Sequence, residues 1–129
     1  MKKIKIQDIP EEAASHEDIL NPGVWKRVLY TLTDFDMGSR LQMVNLARMP
    51  KGKGFTAHHH QDMTEIFIIL KGKAKIRING EYETLRKYEA VLIPKGQVHK
   101  MINIGKTDLD YLVIGVSLGE SGKTVVSEE

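Results

Sequence analysis

Three histidines and one glutamate carry the chemistry this sequence offers. His58, His60 and Glu65 lie in the run Gly52-Lys53-Gly54-Phe55-Thr56-Ala57-His58-His59-His60-Gln61-Asp62-Met63-Thr64-Glu65, and His99 follows in Pro94-Lys95-Gly96-Gln97-Val98-His99. Neutral imidazoles and a carboxylate together make a complete ligand set for a divalent transition metal. The chain has 5 histidines, and these three account for most of them. It has no cysteine, which excludes disulfides and thiolate metal sites. A metal held with an open position polarises a carbonyl or enolate oxygen, or activates a bound water.

Residues so far apart meet only if strands bring them together. Side chains two apart on a strand share a face, so His58 and His60 point one way and His59 the other. Glu65 opens the next apolar run, Thr64 to Leu70, and shares its face with Phe67 and Ile69. His99 starts a later strand, behind the turn Pro94-Lys95-Gly96. From residue 55 onward, short strands are predicted at 55–60, 64–70, 73–79, 82–85, 89–93, 98–104 and 109–117, with two more at 24–30 and 41–48. Asn79-Gly80, between Ile76-Arg77-Ile78 and Tyr82-Glu83-Thr84, is a hairpin signal, because a type I′ turn requires positive φ at both central residues. The spacing predicts an all-β antiparallel sandwich or barrel.

The flanks are less informative. Pro10-Glu11-Glu12-Ala13-Ala14 reads as a short N-terminal helical turn, broken at Asn21-Pro22-Gly23. The pattern Leu41 to Arg48 does not fix which parity faces inward, so whether Arg48 reaches a barrel mouth stays open. His16, among Ser15, Glu17 and Asp18, is expected to be exposed and outside the site. Residues 1–118 are expected to form one domain, with 1–40 an N-terminal extension and strands, and 119–129 a polar, frayed tail. Gly119-Glu120-Ser121-Gly122-Lys123-Thr124 looks like the end of a phosphate-binding loop, but Ser117 stands where that motif needs glycine and no helix follows.

Bulk properties narrow the partners. Charged residues make up 28% of the 129-residue chain, with a net charge of +2 and both signs interspersed, which makes no case for nucleic acid. Aromatics at 6% are too few for a base-stacking surface. The longest apolar run, Ile66 to Leu70, is far too short to span a bilayer. The basic N-terminus has no apolar stretch behind it, so no signal peptide and a cytoplasmic location are expected.

These residues resemble the motifs of the cupin superfamily, in its small single-domain prokaryotic form. The first cupin motif is matched without a gap by Gly52, His58, His60, Glu65 and Gly72. The second is matched by Pro94, Gly96, His99 and Asn103, and departs only at its opening glycine, a turn position, where Tyr88 stands. The motifs cover residues 52–103. The resemblance implies a double-stranded β-helix, a jelly-roll β-barrel. It carries His58, His60, Glu65 and His99 over as ligands of one divalent ion (iron, manganese, nickel, copper or zinc) with positions left for water or substrate. It also implies a homodimer formed through the N-terminal strands.

Phe67 shares the face of Glu65, Met101 that of His99, and Tyr111 lies on the last of the regular strands, so these three are the expected substrate-pocket residues. An apolar wall with few polar groups suits a small, partly hydrophobic ligand. Two functions are compatible with this site. One is a metal-dependent enzyme, a dioxygenase or isomerase acting on a small oxygenated or sugar-like molecule. The other is a non-catalytic module that binds or senses a metabolite.

Overall fold

A computed structural model gives the fold and describes residues 2–14, 18–34, 40–117 and 124–127. In chain order the strands are β1 (Glu12–Ala13), β2 (Trp25–Thr31), β3 (Leu41–Met49), β4 (His58–His60), β5 (Met63–Lys71), β6 (Lys73–Ile78), β7 (Glu81–Arg86), β8 (Ala90–Ile93), β9 (His99–Asn103), β10 (Leu109–Ser117) and β11 (Thr124–Val126). They form two antiparallel sheets, one in the order β1-β2-β3-β10-β5-β8 and the other β11-β4-β9-β6-β7. This is the all-β, jelly-roll architecture that the strand spacing and the motifs predict. None of the helical segments among the described residues is long and apolar enough to cross a membrane.

Period-two alternation fills the space between the sheets. On β5 the buried residues are Met63, Glu65, Phe67 and Ile69, and on β10 they are Leu109, Tyr111, Val113, Gly115 and Ser117. Met49, Ile69, Ile76, Ile93, Met101 and Leu109 are fully buried. Each such side chain contributes roughly 1.5–3 kcal/mol of transfer free energy, and together they hold the sheets face to face below the histidine cluster.

The turns follow the local chemistry. Asn79 and Gly80 both have positive φ, 47° and 86°, as a type I′ hairpin demands. Tyr88 also has positive φ, 68°, and its N–H donates to the Ile69 carbonyl at 2.7 Å. The chain thus takes the turn expected of a glycine there, with a tyrosine whose ring stays exposed. The segment before β4 crosses close to β9: the Phe55 N–H donates to the Met101 carbonyl, and a Cβ at Gly54 would lie 2.7 Å from that same oxygen. This crossing shortens the strand expected at 55–60 to its last three residues, His58–His60.

Two flanking expectations are corrected. The N-terminal helical turn lies earlier, at Ile6–Asp8, and Glu12–Ala13 is extended and paired with β2. Proline disfavours helical backbone in the residue before it, and Ile9, before Pro10, is extended at φ −86°, ψ 121°. The tail does not fray throughout. Thr124, Val125 and Val126 pair with His60, His59 and His58, and the Ser127 N–H donates to the Ala57 carbonyl. Without them β4 would be an open sheet edge, with unpaired backbone groups beside the histidines. His16 and residues 118–123, which include most of the phosphate-loop-like run, lie outside the described residues.

Candidate metal centre

Strand register brings the four expected ligands together. His58 on β4 sits directly across from His99 on β9. His60 follows two residues on, and Glu65 projects from β5 on the facing sheet. All four are buried, and one ligand atom from each lies within 4.8 Å of the others. His59 points away, as its parity requires, and is only partly buried. The turn Pro94 to Gly96 locks this arrangement, since the Gly96 N–H donates to the His60 carbonyl at 2.8 Å. Phe55 packs against the rings of His58 and His99, with centroids 5.0 Å and 5.7 Å away, which limits their rotation.

The outer ring nitrogens are all occupied. His58 Nδ1 is 2.7 Å from the Thr56 carbonyl oxygen, and His99 Nδ1 is 2.9 Å from that of Gln97. A carbonyl only accepts, so both Nδ1 atoms carry a proton, which in the neutral ring leaves Nε2 with the lone pair. His60 Nδ1 lies 3.0 Å from the Thr124 hydroxyl, which can take the same proton. Inside the cluster, His60 Nε2 is 2.8 Å and His99 Nε2 3.4 Å from Glu65 Oε1. These contacts lack hydrogen-bond geometry, and all three atoms are buried with no hydrogen-bond partner. Unpartnered buried polar atoms are costly. A proton or a cation must lie among them, and a divalent metal fits the donor set. Partners of this kind on the remote nitrogen fix the tautomer and orientation of metal-binding histidines.

Without a metal, burial pushes the Glu65 carboxyl up, but the adjoining His60 and His99 imidazoles, when they carry a proton toward it, outweigh burial and lower it from 4.5 to about 2. A depressed carboxyl stabilises the fold above its unfolded value and loses that contribution as pH falls through its folded value. In chelator-treated protein, the stabilisation that Glu65 adds is therefore lost as the pH falls from 4.5 toward 2. Thermal melts across this window should fall more steeply for the native protein than for Glu65→Gln; parallel curves would refute the assignment.

His58, His60 and Glu65 of the cluster form one wall of a cavity of about 380 Å³. Phe67 and Tyr111, two of the three expected pocket residues, line it, with ring centroids 5.3 Å apart. Met101 is not among the lining residues. It lies one inward position beyond His99, paired with Ile76, and is sealed in the core. Arg48 faces outward. Its guanidinium bonds Glu11 at 2.9 Å and Asp108 at 3.3 Å, which raise its pKa despite the opposing effect of burial. The inward parity of β3 belongs to Asn45 and Ala47, which line the cavity. Sequence reasoning missed Thr124, Lys26 and Asn45, all of which line the cavity. Lys26 was legible in part, since it shares parity with Val24 and Val28. Thr124 carried no signal, because its role depends on β11 pairing with β4.

Comparisons with known proteins agree with this geometry. Residues 45–115 match the family model for the cupin domain. Mannose-1-phosphate guanylyltransferase from Salmonella montevideo is 34% identical over 122 residues, 93% of this chain but only 24% of that protein. The chain thus spans about a quarter of the length of that relative. A predicted oxalate decarboxylase from Thermotoga maritima superposes with a TM-score of 0.79 at 22% identity, covering 91% of this chain and 100% of that one. A cupin-superfamily sugar phosphate isomerase from Silicibacter pomeroyi gives 0.77 at 18% identity, covering 99% of this chain and 83% of that one. At such identities these two structures speak for the fold alone. With the family match covering more than half of its length, the chain belongs to the cupin domain family.

Proposed function

We propose that His58, His60, Glu65 and His99 hold one divalent transition metal and that the protein acts there on a small oxygenated or sugar-like molecule, as a dioxygenase or isomerase. The observation that carries this reading is the set of buried, unpartnered ligand atoms, His60 Nε2, His99 Nε2 and Glu65 Oε1, in a cluster of which His60 and Glu65 line a cavity. The ligand set is compatible with iron, manganese, nickel, copper or zinc. When bound, such an ion supplies Lewis acidity toward a substrate oxygen. The chain's own residues do the rest. The Thr56 and Gln97 carbonyls hold the imidazoles in one tautomer, Phe55 and Phe67 exclude water from one side of the cluster, and Tyr111 shapes the adjoining wall. The names of the relatives support a small oxygenated ligand: one acts on a sugar phosphate, and another is named for oxalate.

A non-catalytic binding module is the second reading. It is favoured by the shortage of proton-transfer groups, since outside the histidines the only ionised residues among the described cavity-lining ones are Lys26 and Glu65. A homodimer formed through the N-terminal region is part of the proposal. It is supported by Ile19 and Leu20, which are 79% and 94% exposed. Elemental analysis of protein purified without chelator tests the central claim, and about one equivalent of metal per chain is expected. Its absence, with no uptake on adding these ions, would falsify the proposal. Turnover of oxalate, diketones or sugar phosphates by the loaded protein then separates the enzyme from the binding module.

A further inference from the structure

The wall of the cavity away from the metal cluster is polar in a way that the cluster does not explain. Asn45 is 8% exposed, lines the cavity, and its Oδ1 is buried with no hydrogen-bond partner. A buried acceptor left unmatched is costly, so its persistence marks a place where something else donates to it. Register fixes its position. Phe67, Val113, Asn45 and Val28 form one row across the inner face, and Ile69, Tyr111, Ala47 and Lys26 form the next. Glu65 heads the adjoining row with Gly115 and Met43. Asn45 thus lies two strands from the carboxylate strand, about 10 Å across the sheet, with Phe67 and Val113 as the floor between. Lys26 is one strand further and also lines the cavity. Its ammonium is 3.9 Å from Glu12, its register partner on β1, so a ligand anion at Lys26 would share it with that carboxylate.

We infer that Lys26 and Asn45 form an orienting subsite for a small polyhydroxylated anion, a sugar acid or sugar phosphate, with the anionic group on Lys26 and a hydroxyl donating to Asn45 Oδ1. This rests on the metal reading above, which places the other end of the ligand at the histidine cluster. The charges agree. Lys26 is the one cationic side chain among the described lining residues apart from the histidines, Glu65 is the one carboxylate, and Glu65 faces the cluster. The volume of about 380 Å³ is at the small end of ligand pockets, which excludes a long chain. Lys26 and Asn45 touch the ligand and not the metal, so they set specificity without holding the ion.

Calorimetric titration of metal-loaded protein tests this, with gluconate and glucose 6-phosphate as anionic probes and sorbitol as the neutral control. At least one anion should bind, and sorbitol should bind tenfold more weakly or not at all. Which anion binds distinguishes carboxylate from phosphate. Lys26→Met should weaken the anion at least tenfold, Lys26→Arg should restore part of the loss, and Asn45→Leu should weaken it about tenfold. Should Asn45→Leu fail to fold, Asn45→Asp keeps the shape and should repel the anion. Metal content should be unchanged in every variant. Binding by neither anion, equal binding of sorbitol, or unaltered binding in the Lys26 and Asn45 variants overturns the subsite. Absence of metal from the native protein instead overturns the metal centre, so the two failures read differently.

Discussion

His99→Ala should lose its metal. His99 is the most buried of the four proposed ligands, it faces His58 across two paired strands, and its ring is fixed by the Gln97 carbonyl and by the rings of Phe55 and Phe67. No other described histidine can replace it, because His59 faces away. Removing a partner that only orients a ligand typically costs 10–100-fold in metal affinity, so removing the ligand itself should cost more than about 100-fold. A buried truncation also destabilises the fold, which could mimic loss of the site. The metal-dependent change in melting temperature separates these effects. An ion that binds only the folded state at 100 times its dissociation constant adds about 2.7 kcal/mol. The native protein should gain a higher melting temperature on metal addition, His99→Ala should not, and His59→Ala should gain as much as the native chain. Acid should remove the metal from the native protein below about pH 6, because a protonated imidazole cannot ligate. A metal-dependent rise of native size in His99→Ala would dismiss the ligand set.

What could be read in the sequence follows from the range of the interactions involved. Parity is local, so the inward pair His58 and His60 and the outward His59 were legible from three consecutive letters. The Asn79-Gly80 hairpin and the Pro94 to Gly96 turn were legible for the same reason, since each is set by the φ its own residues tolerate. Tyr88 was the opposite case. Its left-handed φ is held by hydrogen bonds to β5, so the surrounding structure imposes a conformation that the residue type opposes. Features decided by pairing partners were not legible. The inward face of β3 is chosen by β2 and β10, and without them the parity that carries Arg48 could not be told from the one that carries Asn45. Thr124 reaches His60 only because β11 returns to cover the edge of β4, some sixty residues away in the chain. Polar composition alone read that segment as a frayed tail.

A motif residue outside the proposed ligand set, Asn103, should have the larger effect on stability. Asn103 shares the inward face of β9 with His99 but ligates nothing. It is buried, its Nδ2 donates to the carbonyls of Met49 at 3.0 Å and Thr107 at 2.8 Å, and its Oδ1 accepts from the Gly105 N–H at 2.9 Å. These bonds tie the end of β9 to the end of β3 and close the turn into β10. Asn103→Ala strands two carbonyls and one N–H together, and each buried group left unmatched costs about 1–3 kcal/mol. With partial rehydration of the turn, a net loss of about 3 kcal/mol is expected, which for a domain of this size lowers the melting temperature by roughly 10 °C. Asn103→Asp should be no better, because a carboxylate can accept from Gly105 but sets an anion against two carbonyl oxygens. Both variants should keep native metal stoichiometry at low temperature, since all four ligands and the partners of their outer nitrogens are left in place. A shift of less than about 2 °C for Asn103→Ala would mean that the turn is held by its backbone alone. Loss of metal from a folded Asn103→Ala would mean that the closure of β9 onto β3, and not the local pairing of His99 with His58, sets the position of His99.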